Sequence, residues 1–203
     1  MCRSTGSPTR GEVPIRFGPY NIRNSHNGVL ELALRGVSQA NMDMGIFQET
    51  KVTYGIYTCG LAGYSVVTTD APSRHRGRVS VFHRPEPHFS VEAVQQFGTN
   101  VIGFHMVMGE RRWYILICSL APDDTSTLES VVAVLKKRPR GAEMFVAGDF
   151  NVNLLEPEGD RRGEDIAAAM LMEVLEDMSK HFISLRRSGL RGGRTCSMIR
   201  KGR

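Results

Sequence analysis

Val146-Ala147-Gly148-Asp149-Phe150-Asn151-Val152-Asn153 is the stretch that decides how the rest of this 203-residue chain reads. The apolar residues from Met144 to Ala147 describe a short buried strand, and Gly148 at its end is expected to open the backbone. A carboxylate and a carboxamide follow two residues apart. On extended backbone, positions i and i+2 share a face, so Asp149 and Asn151 can address one point above the strand end. The same composition also suits a plain turn after a strand, because Gly, Asp and Asn are the usual turn formers.

Two further runs end the same way. Met44-Gly45-Ile46-Phe47-Gln48-Glu49 carries a carboxylate to a strand end, and Ile15-Arg16-Phe17-Gly18-Pro19-Tyr20-Asn21 carries a carboxamide to another. Between them Leu30, Ala33, Leu34 and Val37 recur at helical spacing, which predicts a helix from Val29 to about Asn41. A strand, helix, strand unit with right-handed crossover makes the flanking strands parallel neighbours and brings Asn21 and Glu49 to one edge. A second such unit runs from Arg111–Leu120 through a helix holding Leu128, Val131, Val132 and Leu135 to the strand before Asp149. It is expected to bring Asp149 toward the edge that holds Glu49. Three strand ends bearing Asn21, Glu49 and Asp149 with Asn151 form a hard-oxygen set suited to Mg²⁺ or, in its place, Mn²⁺.

With these motifs in view, the chain resembles the endonuclease/exonuclease/phosphatase superfamily. The matching pieces are Tyr20-Asn21-Ile22-Arg23, Gln48-Glu49-Thr50-Lys51 and Gly148-Asp149-Phe150-Asn151. It looks closest to the endonuclease domain of fungal non-LTR retrotransposons, where Leu120-Ala121-Pro122-Asp123-Asp124 and the Arg-rich end also fit. The resemblance runs from about Ile15 to Arg203 and implies a two-sheet α/β sandwich with helices outside two packed mixed sheets. It further implies DNA as substrate, Glu49 and Asn21 at the metal, Asp149 aligning water or protonating the departing 3′ oxygen, and Asn151 holding the phosphate. The family's late strands carry Asp-Tyr-Ile and Ser-Asp-His, the histidine activating water. Neither motif is in this sequence, and no histidine follows His181. Ser119 stands where relatives have Tyr, Cys196 where Trp follows Thr195, and Arg78 where Gly is usual. The expectation is a C-terminally truncated copy with its last strands missing and its activity impaired. The alternative is a catalytically inactive nucleic-acid-binding remnant.

Composition sets the remaining bounds. With 41% hydrophobic residues, one α/β domain with a substantial core is expected. Its boundaries are drawn at a polar leader over 1–13, the domain over 14–180 and a basic segment over 181–203. No apolar run is long enough to span a bilayer, and the leader lacks the apolar stretch of a secretory signal. Cys2, Cys59, Cys118 and Cys196 have no pair spacing, which argues against a zinc site or disulfide framework and for an intracellular setting, nucleus or cytoplasm. No small-molecule cofactor is implied. The chain is +5 overall, yet Lys180 to Arg203 holds eight basic residues and no acidic one, so the first 179 residues carry −3. Arg186 and Arg187 in that segment, with Arg74 and Arg76 in the basic loop Ser73–Arg78, are the candidate contacts to a nucleic-acid backbone. Solvated loops and ends are the competing reading for such charge runs.

Overall fold

The architecture follows from how two strand, helix, strand units share their apolar residues. The computed structural model describes residues 15–22, 27–50, 57–58, 63–69, 79–85, 89–120, 125–137, 139–149, 182–190 and 193–200. In the first unit, strand β1 (Phe17–Asn21) leads to helix α1 (Asn27–Gln39) and returns as β2 (Met44–Gln48). The two strands pair in parallel, Phe17 against Met44 and Asn21 against Gln48, as the right-handed crossover requires. The helix stops where Asn41 takes φ 50° and the Met42 N–H donates to the Val37 carbonyl at 3.0 Å. A left-handed residue with a bond reaching back five positions satisfies the last helical carbonyls.

Three further strands complete the first sheet: β3 (Tyr57–Thr58), β4 (Ser65–Thr68) and β5 (Val79–His83). Their order is β1-β2-β5-β4-β3, parallel at the first pair and antiparallel elsewhere. The second sheet begins with β6 (Ser90–Gln96), β7 (Val101–Met108) and β8 (Arg111–Ser119), the last two joined by the tight turn at Gly109-Glu110. Helix α2 (Thr125–Lys137) crosses to β9 (Glu143–Asp149), which pairs in parallel with β8. Beyond it, β10 (Phe182–Leu190) and β11 (Gly193–Arg200) form a hairpin, so the order is β10-β11-β9-β8-β7-β6. The basic segment thus enters the second sheet, with β11 antiparallel to β9 and Thr195 opposite Asp149.

Strand alternation divides the core into three layers. Met44, Ile46, Val79 and Val81 of the first sheet meet Ile102, Phe104, Ile115, Ile117, Phe145 and Ala147 of the second. The outer face of the first sheet packs Phe47, Val66 and Phe82 on Leu34 and Val37 of α1. The outer face of the second packs Tyr114, Leu116, Cys118 and Val146 on Leu128, Val131, Val132 and Leu135 of α2. Each of those fully covered aliphatic side chains contributes about 1.5–3 kcal/mol of transfer free energy. The result is an α/β sandwich of two mixed sheets with a helix on each outer face. Strand β6 lies at one margin, mostly exposed, with a bulge between Glu92 and Gln95 where Ala93 has φ 47°. Arg112 pairs with Glu92 there at 3.6 Å.

The stretch that ends at Asp149 differs from its sequence reading in one respect. Gly148 does not open a turn: it lies inside β9, between Cys118 of β8 and Cys196 of β11, and pairing continues through Asp149. A Cβ at this position would overlap the backbone carbonyl of Cys118. The glycine is there because the neighbouring strand approaches too closely for a side chain.

Candidate functional site

Which ends of the two sheets coincide can be worked out from strand directions. In the first sheet β2 ends at Gln48, and β5 runs antiparallel to it, so Gln48 faces Val79. β4 is antiparallel to β5, and its continuation at Thr69 reaches Val79 through the Thr69 N–H to Val79 carbonyl bond of 3.1 Å. Asn21, Gln48, Val79 and Thr69 therefore occupy one end. In the second sheet Asp149 pairs with Ser119, and the Ser119 N–H donates to the Asn100 carbonyl at 2.9 Å, so Asn100, Ser119 and Asp149 also share an end. The Thr69 Oγ1 donates to the Thr99 carbonyl at 2.6 Å and ties the two ends together. Farther in, Phe17 and Phe145 meet edge to face with ring centroids 4.7 Å apart. Each of their strands then runs four residues on, to Asn21 and to Asp149. At about 3.3 Å per residue both ends rise the same distance above that contact.

The sequence expectation of a shared sheet edge thus becomes a shared end of a sandwich. Asn21 and Glu49 lie at the end of one sheet and Asp149 at the end of the other, across the packed layer. Asp149 has the parity of Phe145 and Ala147, so it faces the first sheet, and it is only 2% exposed. Its carbonyl accepts from the Leu120 N–H at 2.8 Å, which fixes the backbone where the carboxylate leaves it.

Glu49 is held differently. Thr50, fully buried, hydrogen-bonds the Ser80 hydroxyl at 2.8 Å, and Ser80 donates to the Thr68 hydroxyl at 2.8 Å. The chain must turn between paired Gln48 and anchored Thr50, and Glu49 does so with φ 55°. A left-handed glutamate has no propensity reason to exist, and such strain concentrates where side-chain chemistry is needed. Glu49 is half-buried at the rim.

Asn21 is the last residue of β1 and the register partner of Gln48. Arg186 and Arg187 fall on β10, the strand beyond β11 at the far margin of the second sheet. Asn151, Arg74 and Arg76 lie outside the described residues. Gln48, Asn100 and Ser119, all buried at this end, were not singled out as site residues from sequence, although the parity of Met44 and Ile46 already puts Gln48 on the inner face. Among the described residues, no histidine sits here: His83 pairs with Met44 at the opposite end, and His105 packs on Tyr114 on the outer face.

Among the described residues no three His, Cys, Asp or Glu side chains gather into a metal cage. One or two carboxylates with a carboxamide are nevertheless the donors Mg²⁺ takes, since it keeps waters and shares substrate oxygens. The donor set at this end fits that ion and not a soft-ligand metal.

No family model and no curated protein matches the chain. Solved structures with the same fold include the endonuclease domain of TRAS1, a telomere-specific non-LTR retrotransposon. It aligns over 93% of this chain and 99% of its own at 16% identity, with a TM-score of 0.65. An AP endonuclease from Archaeoglobus fulgidus aligns over 91% of this chain and 86% of its own at 16% identity and TM-score 0.59. The 3′ phosphatase NExo from Neisseria, bound to a product DNA hairpin, covers 93% of this chain and 100% of its own at 11% identity and TM-score 0.61. At such identities the likeness is one of fold alone.

Proposed function

We propose that this chain is a metal-dependent phosphodiesterase acting on DNA, with its site at the sandwich end that carries Asn21, Glu49 and Asp149. The observation that supports it best is the buried Asp149 carboxylate, turned toward the partner sheet and level with the strained Glu49 turn. Glu49, with Asn21 beside it, would hold Mg²⁺ or Mn²⁺, which supplies positive charge to a phosphodiester. Asp149, shielded from solvent, takes or returns a proton at its carboxylate oxygen, either aligning the attacking water or serving the departing 3′ oxygen. Asn151 donates its amide N–H to a phosphate oxygen. Arg74, Arg76, Arg186 and Arg187 are proposed to contact the backbone of the bound strand, which makes binding salt-sensitive. No membrane attachment enters this reading; no described helix is long and apolar enough to cross a bilayer.

A second reading is favoured by one observation. Among the described residues no histidine reaches this end. On that reading the chain binds nucleic acid without turning it over.

One experiment separates the two: nicking of supercoiled DNA in Mg²⁺, alongside DNA binding across a salt series. Glu49→Gly is the informative variant, because it removes the carboxylate while relieving the left-handed backbone. The expected result is Mg²⁺-dependent nicking that falls about 100-fold or more in the variant at unchanged fold. Equal nicking by Glu49→Gly, or in EDTA, discards the phosphodiesterase. Binding without nicking by the wild type establishes the second reading.

A further inference from the structure

Gln48 is fully buried, and neither its Nε2 nor its Oε1 finds a protein partner among the described residues. A buried amide in that condition is costly unless something other than protein meets it. Its place is specific. Gln48 has the inward parity of Met44 and Ile46, it is the register partner of Asn21 and Val79, and β2 lies across the sandwich from β8. The end of β8 presents inward-facing Ser119, paired with Asp149. Below this row the inner layer is apolar, with Ile46, Ile102, Ile117 and Ala147. Glutamine is therefore the first polar side chain above the core, on the floor between Glu49 and Asp149.

We propose that Gln48 is a positioning residue for Asp149. An enclosed water accepts from its Nε2–H, donates one hydrogen to its Oε1 and donates the other to the Asp149 carboxylate. A water suits the role because the atoms are wholly covered, too deep for a phosphodiester, and the surrounding polar row offers the two to four partners an enclosed water needs. The catalytic consequence rests on the phosphodiesterase reading, whereas the coupling of Gln48 to Asp149 does not.

Two measurements on the full chain test it. In side-chain amide NMR, Asp149→Asn shifts the Gln48 resonances, while Asp43→Asn, at the opposite end, leaves them in place. In nicking kinetics, Gln48→Met, an apolar side chain of similar length, lowers kcat about 10- to 100-fold. KM stays within about twofold and Tm is equal or higher, a pattern that a purely structural glutamine would not give. Unmoved resonances in Asp149→Asn, wild-type kcat in Gln48→Met, or a kcat loss that only follows a fall in Tm each overturn the proposal. An inert wild type that still shows the resonance shift sinks the phosphodiesterase and leaves the coupling established.

Discussion

Gly148 shows how one residue can be legible in type and not in cause. Its neighbours Asp149 and Asn151 made it look like a turn former, because Gly-Asp-x-Asn satisfies local turn preferences and nothing in the chain announces an adjacent strand. The actual reason is the Cys118 carbonyl, thirty residues away, against which a Cβ would collide. Gly148→Ala is accordingly expected to destabilise the fold by about 3 kcal/mol, since backbone of a central strand cannot yield as a side-chain tip can. Chemical denaturation of the two proteins measures it, and equal midpoints would mean β8 and β9 are more loosely joined than described. Gln48 was quoted only as part of a motif: parity with Met44 and Ile46 points it inward, but that its amide is left without a protein partner among the described residues depends on the opposing sheet, which β2 alone does not reveal. Asp149 and Glu49, by contrast, were legible because a polar residue directly after an apolar run marks a strand end.

The elements were read most securely where apolar spacing was regular. Leu34 with Val37, and Leu128 with Val131, Val132 and Leu135, gave the two helices among the described residues, which the structure runs from Asn27 to Gln39 and from Thr125 to Lys137. A further helix expected from Met170, Leu171, Val174, Leu175 and Met178 lies outside the described residues. Parallel pairing of β1 with β2, and of β8 with β9, then followed from handedness. The division of the middle strands between two sheets could not be read the same way, because β5 and β6 adjoin in sequence yet belong to different layers. What joins those layers at the candidate site includes the bond from Thr69 Oγ1 to the Thr99 carbonyl. The same hydroxyl accepts weakly from the Val79 N–H at 3.4 Å. Thr69→Val keeps the shape and deletes the hydroxyl, with an expected loss of about 1 kcal/mol by thermal or denaturant unfolding. A variant of wild-type stability would show that this bond adds nothing to the hold between the sheets.

For the molecule as a whole, acid sensitivity should come in part from His83, at the end of the sandwich away from the candidate site. Burial beside Phe89 holds its pKa below the usual 6.5, the Arg84 carbonyl opposing that shift only in part. The unfolded chain then binds the proton first, so this contribution is intact above pH 6.5 and is lost as pH falls from there through the lower folded value. Tm measured at pH 7.5 and 5.5 should drop less in His83→Leu than in the wild type, and parallel drops would exclude His83 as a source. The outer strand β6 bears on a different property. Its bulge at Ala93 twists the hydrogen-bonding margin, and charged Glu92 and Arg112 stand beside it, so an incoming chain finds no straight, apolar rail to zip onto. Fibril growth from that flank is disfavoured by geometry, and the feature that disfavours it is one misaligned alanine.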